Sequence, residues 1–257
     1  METNMNSNSV KVRTIDIGSG IPKICVPVVS DSRQTLKTDL SSVIKAEPDI
    51  IEFRADYMMS CMDELEEILS DIREHIGDTV LLFTIRTATE GGEADVDDEA
   101  YEGLLLRACE SGNVDMIDVE AYKKEGLLEN MCKVAHANGV YVVASNHDFK
   151  KTPDVDEIVT RLTYMKNQGA DIPKIAVMPD SNDDVITLLS STNRYCEKEG
   201  GPVITMSMSG KGVISRLAGE WFGSAVTFAT VTKASAPGQV PIDDVRNVLN
   251  VIHESIS

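Results

Sequence analysis

The chain has 257 residues, of which 42% are hydrophobic and 26% charged, values typical of a folded globular protein and not of a disordered, collagen-like or coiled-coil chain. Its 42 acidic residues outnumber its 24 lysines and arginines, and the resulting net charge of −18 argues against nucleic acid and anionic membranes as partners. By itself, the same charge would also disfavour a small anionic substrate.

The cysteines and the N-terminal residues bear on compartment and domain organisation. The five cysteines are odd in number and include no Cys-x-x-Cys pair, so reduced thiols in a cytoplasmic protein are favoured over a disulfide framework or a structural zinc site. Residues 1–9 are polar and lack the apolar stretch of a signal peptide. The longest apolar runs are far too short to span a bilayer. We therefore expect a flexible tail over 1–9 and one soluble domain over 10–257.

Short β-branched runs alternate with amphipathic stretches along the chain. The first segment, Val10–Ile17, alternates apolar and polar residues and is interpreted as part of a small hairpin. The predicted strands after it are Ile24–Val29, Ile50–Arg54, Val80–Ile85, Met116–Glu120, Val140–Ser145, Ile172–Val177, Val203–Met208 and Val226–Thr230. Helical spacing of apolar residues predicts helices within Asp63–Ile76, Leu104–Cys109, Leu127–Ala137, Ile158–Met165, Val185–Tyr195, Val213–Trp221 and Val245–Ile252. Thr152 or Asp154 is the predicted cap of the helix after the fifth strand, with Pro153 in its first turn.

Eight strands alternating with helices indicate a parallel sheet. Eight such repeats in about 250 residues predict an α/β fold, a (β/α)₈ TIM barrel whose bottom is closed by the N-terminal hairpin. An open doubly wound sheet is the alternative, but the Gly-rich turn usual after its first strand is replaced here by Val29-Ser30-Asp31-Ser32-Arg33. Because catalytic side chains of a barrel lie at the C-terminal ends of its strands, the candidates are sought there.

Charged residues mark the second and third strands. Period-two alternation places Glu52, Arg54 and Asp56 on one face, where three charges cannot form an apolar layer. Arg54 is a candidate for binding a carboxylate. For Glu52 and Asp56, an internal ion-pair network explains the charges as well as a role in the site does. Arg86 and Glu90 would stand at the barrel mouth, although Glu90 also fits a solvated loop acid.

The next three strands carry the groups best suited to chemistry. Asp118 and Glu120 share one face of the fourth strand. Of the four histidines, only His147 directly follows an apolar β run, so it is a candidate catalytic group; no second His or Cys lies at metal-ligand spacing. Lys174 interrupts an otherwise apolar strand. It either pairs with Asp118 or Glu120, or is an amine kept neutral for attack on a carbonyl.

Two glycine-containing loops follow the last strands. The turn Gly210-Lys211-Gly212 precedes a helical pattern and could cradle an anion or merely turn the chain. The loop over 233–239 has the composition of a lid, in which Ser235 and Gln239 offer neutral hydrogen bonds to hydroxyl groups. An ordinary connecting loop is the alternative for this segment.

Seven motifs, in this order and spacing, resemble those of the type I 3-dehydroquinate dehydratases, and the likeness runs from about residue 10 to residue 256. They are Glu-Phe-Arg-Ala-Asp (52–56), Phe-Thr-Ile-Arg…Glu-Gly-Gly-Glu (83–93), Ile-Asp-Val-Glu (117–120), Val-Val-Ala-Ser-Asn-His-Asp (142–148), Pro-Lys-Ile-Ala (173–176), Met-Ser-Met-Ser-Gly-x-Gly…Ser-Arg (206–216) and Ser-Ala-Pro-Gly-Gln (235–239). The resemblance implies a (β/α)₈ enzyme that dehydrates 3-dehydroquinate to 3-dehydroshikimate in the shikimate pathway.

The resemblance also implies roles for the candidate residues. Lys174 would form an imine with the substrate's ketone, His147 would act as general base and acid, and Glu90 would orient His147. The residues implied in substrate binding are Glu52, Arg54, Arg86, Arg216, Ser235 and Gln239, with Arg216 on the carboxylate. No metal or organic cofactor is implied, and a homodimer is expected.

Two other functions fit parts of the sequence. A class I aldolase would share Lys174 and could use the turn Gly210-Lys211-Gly212 for a phosphorylated substrate, but residues 145–148 and 235–239 argue against it. A non-catalytic barrel retained as a binding module should have lost a catalytic group, yet Glu90, His147 and Lys174 are all present.

Overall fold

The computed structural model describes residues 9–231 and 238–256 and has the predicted barrel architecture. The strands are β1 Val10–Val12, β2 Ile15–Ile17, β3 Lys23–Val28, β4 Ile50–Arg54, β5 Val80–Thr84, β6 Met116–Glu120, β7 Tyr141–Asp148, β8 Ile172–Val177, β9 Ile204–Ser207, β10 Val226–Thr230 and β11 Val240–Pro241. Strands β3 to β10 are parallel neighbours in the curled sheet, and β11 pairs with β10 at its edge. All eight predicted barrel strands are confirmed to within a few residues at their ends.

The ring closes between β9 and β10 through few contacts. A single bridge joins Val203 to Ser224, and the amide of Ala225 donates to the carbonyl of Val203 at 2.8 Å. The hydroxyl of Ser224 also accepts from the amide of Thr205 at 3.0 Å. This seam lies between the strands that carry the last predicted site residues.

The helices cover the outside of the sheet. They are α1 Arg33–Ile44, α2 Leu65–Ile76, α3 Asp98–Glu110, α4 Leu127–Ala137, α5 Val155–Asn167, α6 Asn182–Glu199, α7 Val213–Leu217, α8 Gly219–Phe222 and α9 Ile242–Ile256. Their apolar faces pack on the outward side chains of the strands to form the larger of two hydrophobic cores. Among the described residues, no helix is both long and apolar enough to cross a membrane.

Four helical details differ from the sequence predictions. Helix α1 was not predicted; a capping box of Ser32 and Thr35 starts it. The segment before α2 is a 3₁₀ helix over Ala55–Glu64, so α2 begins later than expected. The helix predicted over 213–221 is split into α7 and α8 at Ala218. Asp154 caps α5, which leaves Pro153 outside the first turn.

The N-terminal hairpin of β1 and β2 closes the bottom of the barrel, as predicted. Val12 and Ile17 are buried in the smaller core, which fills the barrel interior with inward side chains such as Ile50 and Val80. Arg13, at the hairpin turn, donates through Nε to Asp115 Oδ1 at 2.6 Å. The interior is therefore apolar at the bottom, and only the upper end is left for polar groups.

Candidate active site

A cleft of about 530 Å³, open to solvent, lies at the C-terminal mouth of the barrel. It brings together eight of the nine predicted site residues, and the ninth, Ser235, lies outside the described residues. The eight are Glu52, Arg54, Arg86, Glu90, His147, Lys174, Arg216 and Gln239. Seven come from five of the eight barrel strands or the segments after them, and Gln239 lies between β10 and β11, so only the closed barrel assembles them.

Lys174 forms the floor of the cleft, in the middle of β8. Its side chain is 4% exposed, and Nζ donates to Oδ2 of Asp118 at 2.9 Å. Nζ also lies 4.6 Å from the centre of the Phe228 ring, a cation–π contact. Of the two interpretations of Lys174, pairing with Asp118 is therefore correct, and it does not exclude a role for the amine in chemistry.

Asp118 is the buried anion around which the floor is built. Its Oδ1 accepts from the Ser145 hydroxyl at 2.5 Å and lies 2.7 Å from Nη2 of Arg86. Burial acts to raise the pKa of Asp118, but the charges of Arg86 and Lys174 outweigh it and hold that pKa well below its ordinary value. Asp118 was noticed in the sequence from its position on β6, but it was not among the predicted site residues.

His147 and Glu90 form a close pair on the wall of the cleft. Nδ1 of His147 lies 2.8 Å from Oε2 of Glu90, and the His147 amide donates to the same oxygen at 3.0 Å. Burial, with the nearby charges of Arg86 and Lys174, holds the pKa of His147 well below its ordinary value. Burial raises the pKa of Glu90 to about 7. The alternative of a solvated loop acid for Glu90 is therefore wrong.

Arg86 ties the loop after β5 to the next strand. Its Nη1 donates to Oε1 of Glu120 at 3.1 Å and to the Ser145 hydroxyl at 2.9 Å. Glu120 in turn accepts from the amide and the hydroxyl of Thr87 at 2.8 and 2.7 Å. These contacts fix the start of the loop that carries Glu90.

Arg54 is held by its own strand neighbour. Its Nε and Nη2 donate to the two oxygens of Asp56 at 2.7 and 2.6 Å, and its guanidinium lies 5.2 Å from the Tyr57 ring. Burial acts to lower the pKa of Arg54, but the Asp56 contacts outweigh it and raise that pKa. The ion-pair interpretation of Asp56 is therefore correct. Arg54 already makes a bidentate contact with this carboxylate through Nε and Nη2. Glu52 accepts from the Thr84 hydroxyl at 2.9 Å.

Arg216 lies on α7, on the side of the cleft facing β9. Its side chain is buried, Nη1 lies 3.7 Å from Sδ of Met206, and burial lowers its pKa to about 10. Its backbone carbonyl accepts from the Thr227 hydroxyl at 2.7 Å, which joins α7 to β10. A desolvated guanidinium at a cavity wall is suited to binding a carboxylate.

Apolar residues complete the cleft, and the sequence analysis did not single them out. Met206, Met208 and Phe228 line one side, and Phe149 lines the other, with its ring stacked 6.5 Å from the His147 ring. Gly91 is required beneath Phe149, because a Cβ there would lie 2.3 Å from the ring and its φ is +79°. The one available signal was the alternation of Met206, Ser207 and Met208 across the end of β9, which puts both methionines on one face.

The described residues contain no group of three or more His, Cys, Asp or Glu side chains placed to hold a metal ion. The first of the two glycine-containing loops, Gly210-Lys211-Gly212, forms a 3₁₀ turn before α7. Its Lys211 is exposed and donates from Nζ to the carbonyl of Asp180. That turn does not line the cleft.

Comparisons with known proteins point to one family. A model of the type I 3-dehydroquinase family matches residues 24–256. The 3-dehydroquinate dehydratase of Listeria monocytogenes is 47% identical over 249 residues, which cover 96% of this chain and 99% of that protein. The enzyme of the same name from Clostridioides difficile is 44% identical over 254 residues, or 96% of this chain and 98% of that protein.

Solved structures agree with the sequence comparisons. The type I 3-dehydroquinate dehydratase from Clostridium difficile, determined with covalently modified comenic acid, superposes with a TM-score of 0.94 at 43% identity and covers 97% of this chain and 99% of that one. The 3-dehydroquinate dehydratase from Geobacillus kaustophilus gives a TM-score of 0.93 at 37% identity, with 96% and 97% covered.

Proposed function

The chain belongs to the type I 3-dehydroquinase family and is a lyase, and we propose that it dehydrates 3-dehydroquinate to 3-dehydroshikimate through an imine on Lys174. The observation that carries this proposal is a buried lysine beside a His–Glu pair in a cleft with three arginines. A buried amine can add to a ketone, and the resulting protonated imine is a better electron sink than the ketone.

The dehydration passes through an imine and an enamine on Lys174. The Lys174 ammonium first gives up one proton, and the resulting amine adds to the C3 carbonyl to form a carbinolamine. The released proton then returns to the carbinolamine hydroxyl, which leaves as water and gives the protonated imine. His147 removes a proton from C2, and the electron pair of that C–H bond moves into the imine to form an enamine. The enamine then expels the C1 hydroxyl, which takes the proton from His147 and departs as water. Hydrolysis of the imine releases 3-dehydroshikimate and restores Lys174.

Asp118 and Glu90 support the charges in this sequence. Asp118 lies 2.9 Å from Lys174 Nζ and would be the counter-ion of the protonated imine. Ionised Glu90 would accept a hydrogen bond from Nδ1–H of His147, which leaves Nε2 unprotonated and able to act as the base. The low pKa of His147 keeps the ring in the neutral form that this step requires.

The remaining residues would bind the substrate. Arg216 would bind the carboxylate in a bidentate manner, because its buried guanidinium lines the cleft. Arg54 and Arg86 would then contribute positive charge and hold Asp56 and Asp118 in place. Glu52, Gln239 and Ser235 are proposed to bind ring hydroxyl groups. Met206, Met208 and Phe228 would pack against the carbon ring and exclude water.

Borohydride trapping tests the proposal directly. Reduction in the presence of 3-dehydroquinate should leave one covalent adduct on Lys174, with the mass of the ligand less one water plus two hydrogens, and Lys174→Met should abolish the adduct. The control is Lys133→Met, which removes an exposed lysine that pairs with Glu129 on α4. An adduct on another residue, or none in protein that turns over substrate, would overturn the imine mechanism.

The ultraviolet absorbance of the conjugated enone separates this activity from that of an aldolase. Addition of 3-dehydroquinate to folded protein should produce that absorbance, and a class I aldolase should not. No absorbance change would refute the proposed substrate and reaction.

A homodimer, a cytoplasmic location and a single domain over 10–257 remain predictions. They rest on the resemblance and on the sequence. Light scattering coupled to gel filtration measures the first, and a molar mass near 28.0 kDa instead of twice that value would refute it.

A further inference from the structure

We propose that Asn146, held by Arg161, is a positioning residue that fixes the orientation of Glu90 and through it the tautomer of His147. This inference rests on the proposed function, in which Glu90 acts on His147. Neither Asn146 nor Arg161 lines the cleft, and Arg161 stands on α5, outside the strands that carry the chemistry.

The contacts form a chain from α5 to the histidine. Arg161 Nη1 donates to Oδ1 of Asn146 at 3.0 Å. Asn146 Nδ2 donates to Oε1 of Glu90 at 3.3 Å, and Oε2 of Glu90 faces His147 Nδ1 at 2.8 Å. Each hydrogen bond in this series therefore orients the side chain that makes the next one.

Arg161 determines which way the Asn146 amide points. A guanidinium only donates hydrogen bonds, so it selects the amide orientation that presents oxygen to α5. The NH₂ group must then face Glu90. Arg161 is itself anchored by Glu157, one turn earlier on α5, and by Oδ2 of Asp148 at 3.4 Å. With two acidic anchors, the guanidinium is held in one place.

Asn146 completes the donor set around the Glu90 carboxylate. Oε1 accepts from Asn146, and Oε2 accepts from the backbone amide of His147 at 3.0 Å. Both donors come from β7, and both favour the ionised carboxylate. With Glu90 ionised, Nδ1 of His147 must carry the proton, and Nε2 is left to act as the base.

The charges that face Glu90 make this donor important. Burial raises the pKa of Glu90, and the carboxylates of Glu120 and Asp118 on β6 act in the same direction. Arg86 Nη1, 3.6 Å from Oε2, and the Asn146 hydrogen bond act in the opposite direction. The balance leaves the pKa of Glu90 at about 7, where loss of one donor changes the ionised fraction at neutral pH.

Three variants test the proposal: Asn146→Leu, Arg161→Met and the double variant. Loss of one hydrogen bond to the carboxylate should move the acid limb of the kcat profile up by about one pH unit and lower kcat at pH 7 about fivefold. KM should stay within about twofold, because neither residue lines the cleft. If Arg161 acts through Asn146, the double variant should match Asn146→Leu and not multiply the two effects.

Two controls separate positioning from a structural role. Arg161→Lys keeps a cation that can donate to Asn146 and should recover most of kcat. Arg194→Met removes a different arginine that pairs with α5, through the exposed Asp156 at 2.6 Å, and should leave the pH profile unchanged. An equal effect of Arg194→Met, or no recovery in Arg161→Lys, would mean that Arg161 only stabilises α5.

A second readout does not depend on turnover. Long-range ¹H–¹⁵N spectra of the unliganded protein at pH 8 should show His147 as the Nδ1–H tautomer, and Asn146→Leu should increase the Nε2–H population. If wild-type protein does not turn over 3-dehydroquinate, the proposed function fails, while this spectrum still tests the positioning. If wild type is active and both the pH limb and the tautomer are unchanged in the variants, the inference is overturned.

Discussion

Two aspartates three residues apart each hold two cations, yet they serve different ends of the barrel. In the lower cluster, Asp115 contacts Arg13 and Arg73, each at 2.6 Å. In the upper cluster, Asp118 contacts Arg86 at 2.7 Å and Lys174 at 2.9 Å. The residue types and distances are almost the same, so the difference must come from what the cations contact next.

The lower cluster ends on the backbone and on one solvent-exposed carboxylate, that of Asp78, whose Oδ1 lies 3.3 Å from Nη1 of Arg13. Arg73 also donates to the carbonyls of Asn113, Gly77 and Thr79, and Asp115 also accepts from the amide of Leu81 at 2.8 Å. Backbone carbonyls and amides do not titrate or move independently of the fold. The lower cluster therefore joins the hairpin, α2 and β5 to β6 and has a structural role.

The upper cluster ends on other ionisable side chains beside a cavity. From Asp118 the contacts continue through Arg86 to Glu90 and on to His147. Burial changes the pKa of both Glu90 and His147, as is common at functional sites. The comparison indicates that the partners beyond an ion pair, rather than the pair itself, distinguish a catalytic cluster from a structural one.

The largest expected effect comes from removing one cation from each cluster. Lys174→Met should reduce turnover to the detection limit while the protein stays folded, because Asp118 keeps Arg86 and Ser145. Arg73→Met should leave kcat unchanged and cost about 3 kcal/mol of stability, since it breaks a largely buried pair. At this chain length such a loss lowers Tm by about 6–12 °C. Steady-state kinetics and thermal unfolding of both variants measure these effects.

The contrast would be wrong if the two phenotypes did not separate. Activity retained in Lys174→Met would remove the amine from the mechanism. A fall in kcat in folded Arg73→Met would mean that the lower cluster contributes to chemistry from the far end of the barrel.

His147→Ala should have the next largest effect. A general base contributes about 10²- to 10⁴-fold, so turnover should fall within that range. Because Lys174 keeps its contacts with Asp118 and Phe228, the imine should still form and accumulate. Borohydride trapping with intact-mass analysis should therefore give at least as much adduct as in wild type. No adduct in this variant would contradict the division of roles between Lys174 and His147.

The pH dependence should follow Glu90. Burial raises its pKa to about 7. Below pH 7 Glu90 becomes protonated and no longer accepts the hydrogen bond from His147 Nδ1–H, so kcat should fall. Glu90→Gln should lower kcat and flatten this limb, since the amide does not titrate. No titration of the lower cluster is required for activity, so Arg73→Met should keep the wild-type limb. A limb that survives in Glu90→Gln would assign it to another group.

Ionisation of Glu90, which should raise kcat, should lower the stability of the fold. The folded-state pKa of Glu90 lies above its unfolded value near 4.5, so the stability it contributes is full below that value and is lost as pH rises to about 7. Glu90→Gln should therefore gain stability relative to wild type across this window, by about 3 kcal/mol at most. Thermal unfolding at pH 4.5, 6 and 8 measures the trend.

The sequence allowed the fold and most of the cleft to be predicted because strand ends carry their own signals. Each barrel strand is a short β-branched run, and the polar residue that breaks its pattern, such as Glu52 or Lys174, faces the cleft. Helix α1 was missed because its apolar positions Leu36, Leu40 and Val43 lie among many polar residues, which makes the stripe narrow.

The contacts between elements could not be predicted in the same way. Nothing in the sequence indicates that Lys174 pairs with Asp118 and not with Glu120, since both lie on one face of β6. Only the register of the strands and the direction of Arg86 decide it. Likewise, Arg161 looks like any helical arginine until α5 is packed beside β7, where Asn146 receives its hydrogen bond.

The smallest expected effect is that of salt on kcat/KM, and it depends on the positively charged side chains of the cleft. The net charge of −18 should repel an anionic substrate at long range, and salt screens such repulsion beyond about 8–10 Å. The four cations of the cleft, Arg54, Arg86, Lys174 and Arg216, are buried. Carboxylates contact Arg54, Arg86 and Lys174 at 2.6–2.9 Å, and burial lowers the pKa of Arg216. Their field outside the cleft is therefore weak, and kcat/KM should stay flat or rise less than about twofold between 10 and 150 mM NaCl. A steep fall in NaCl, with no competitive inhibition by chloride, would show that the cleft cations attract substrate well beyond the mouth of the barrel and that the upper cluster is not neutralised by its own acids.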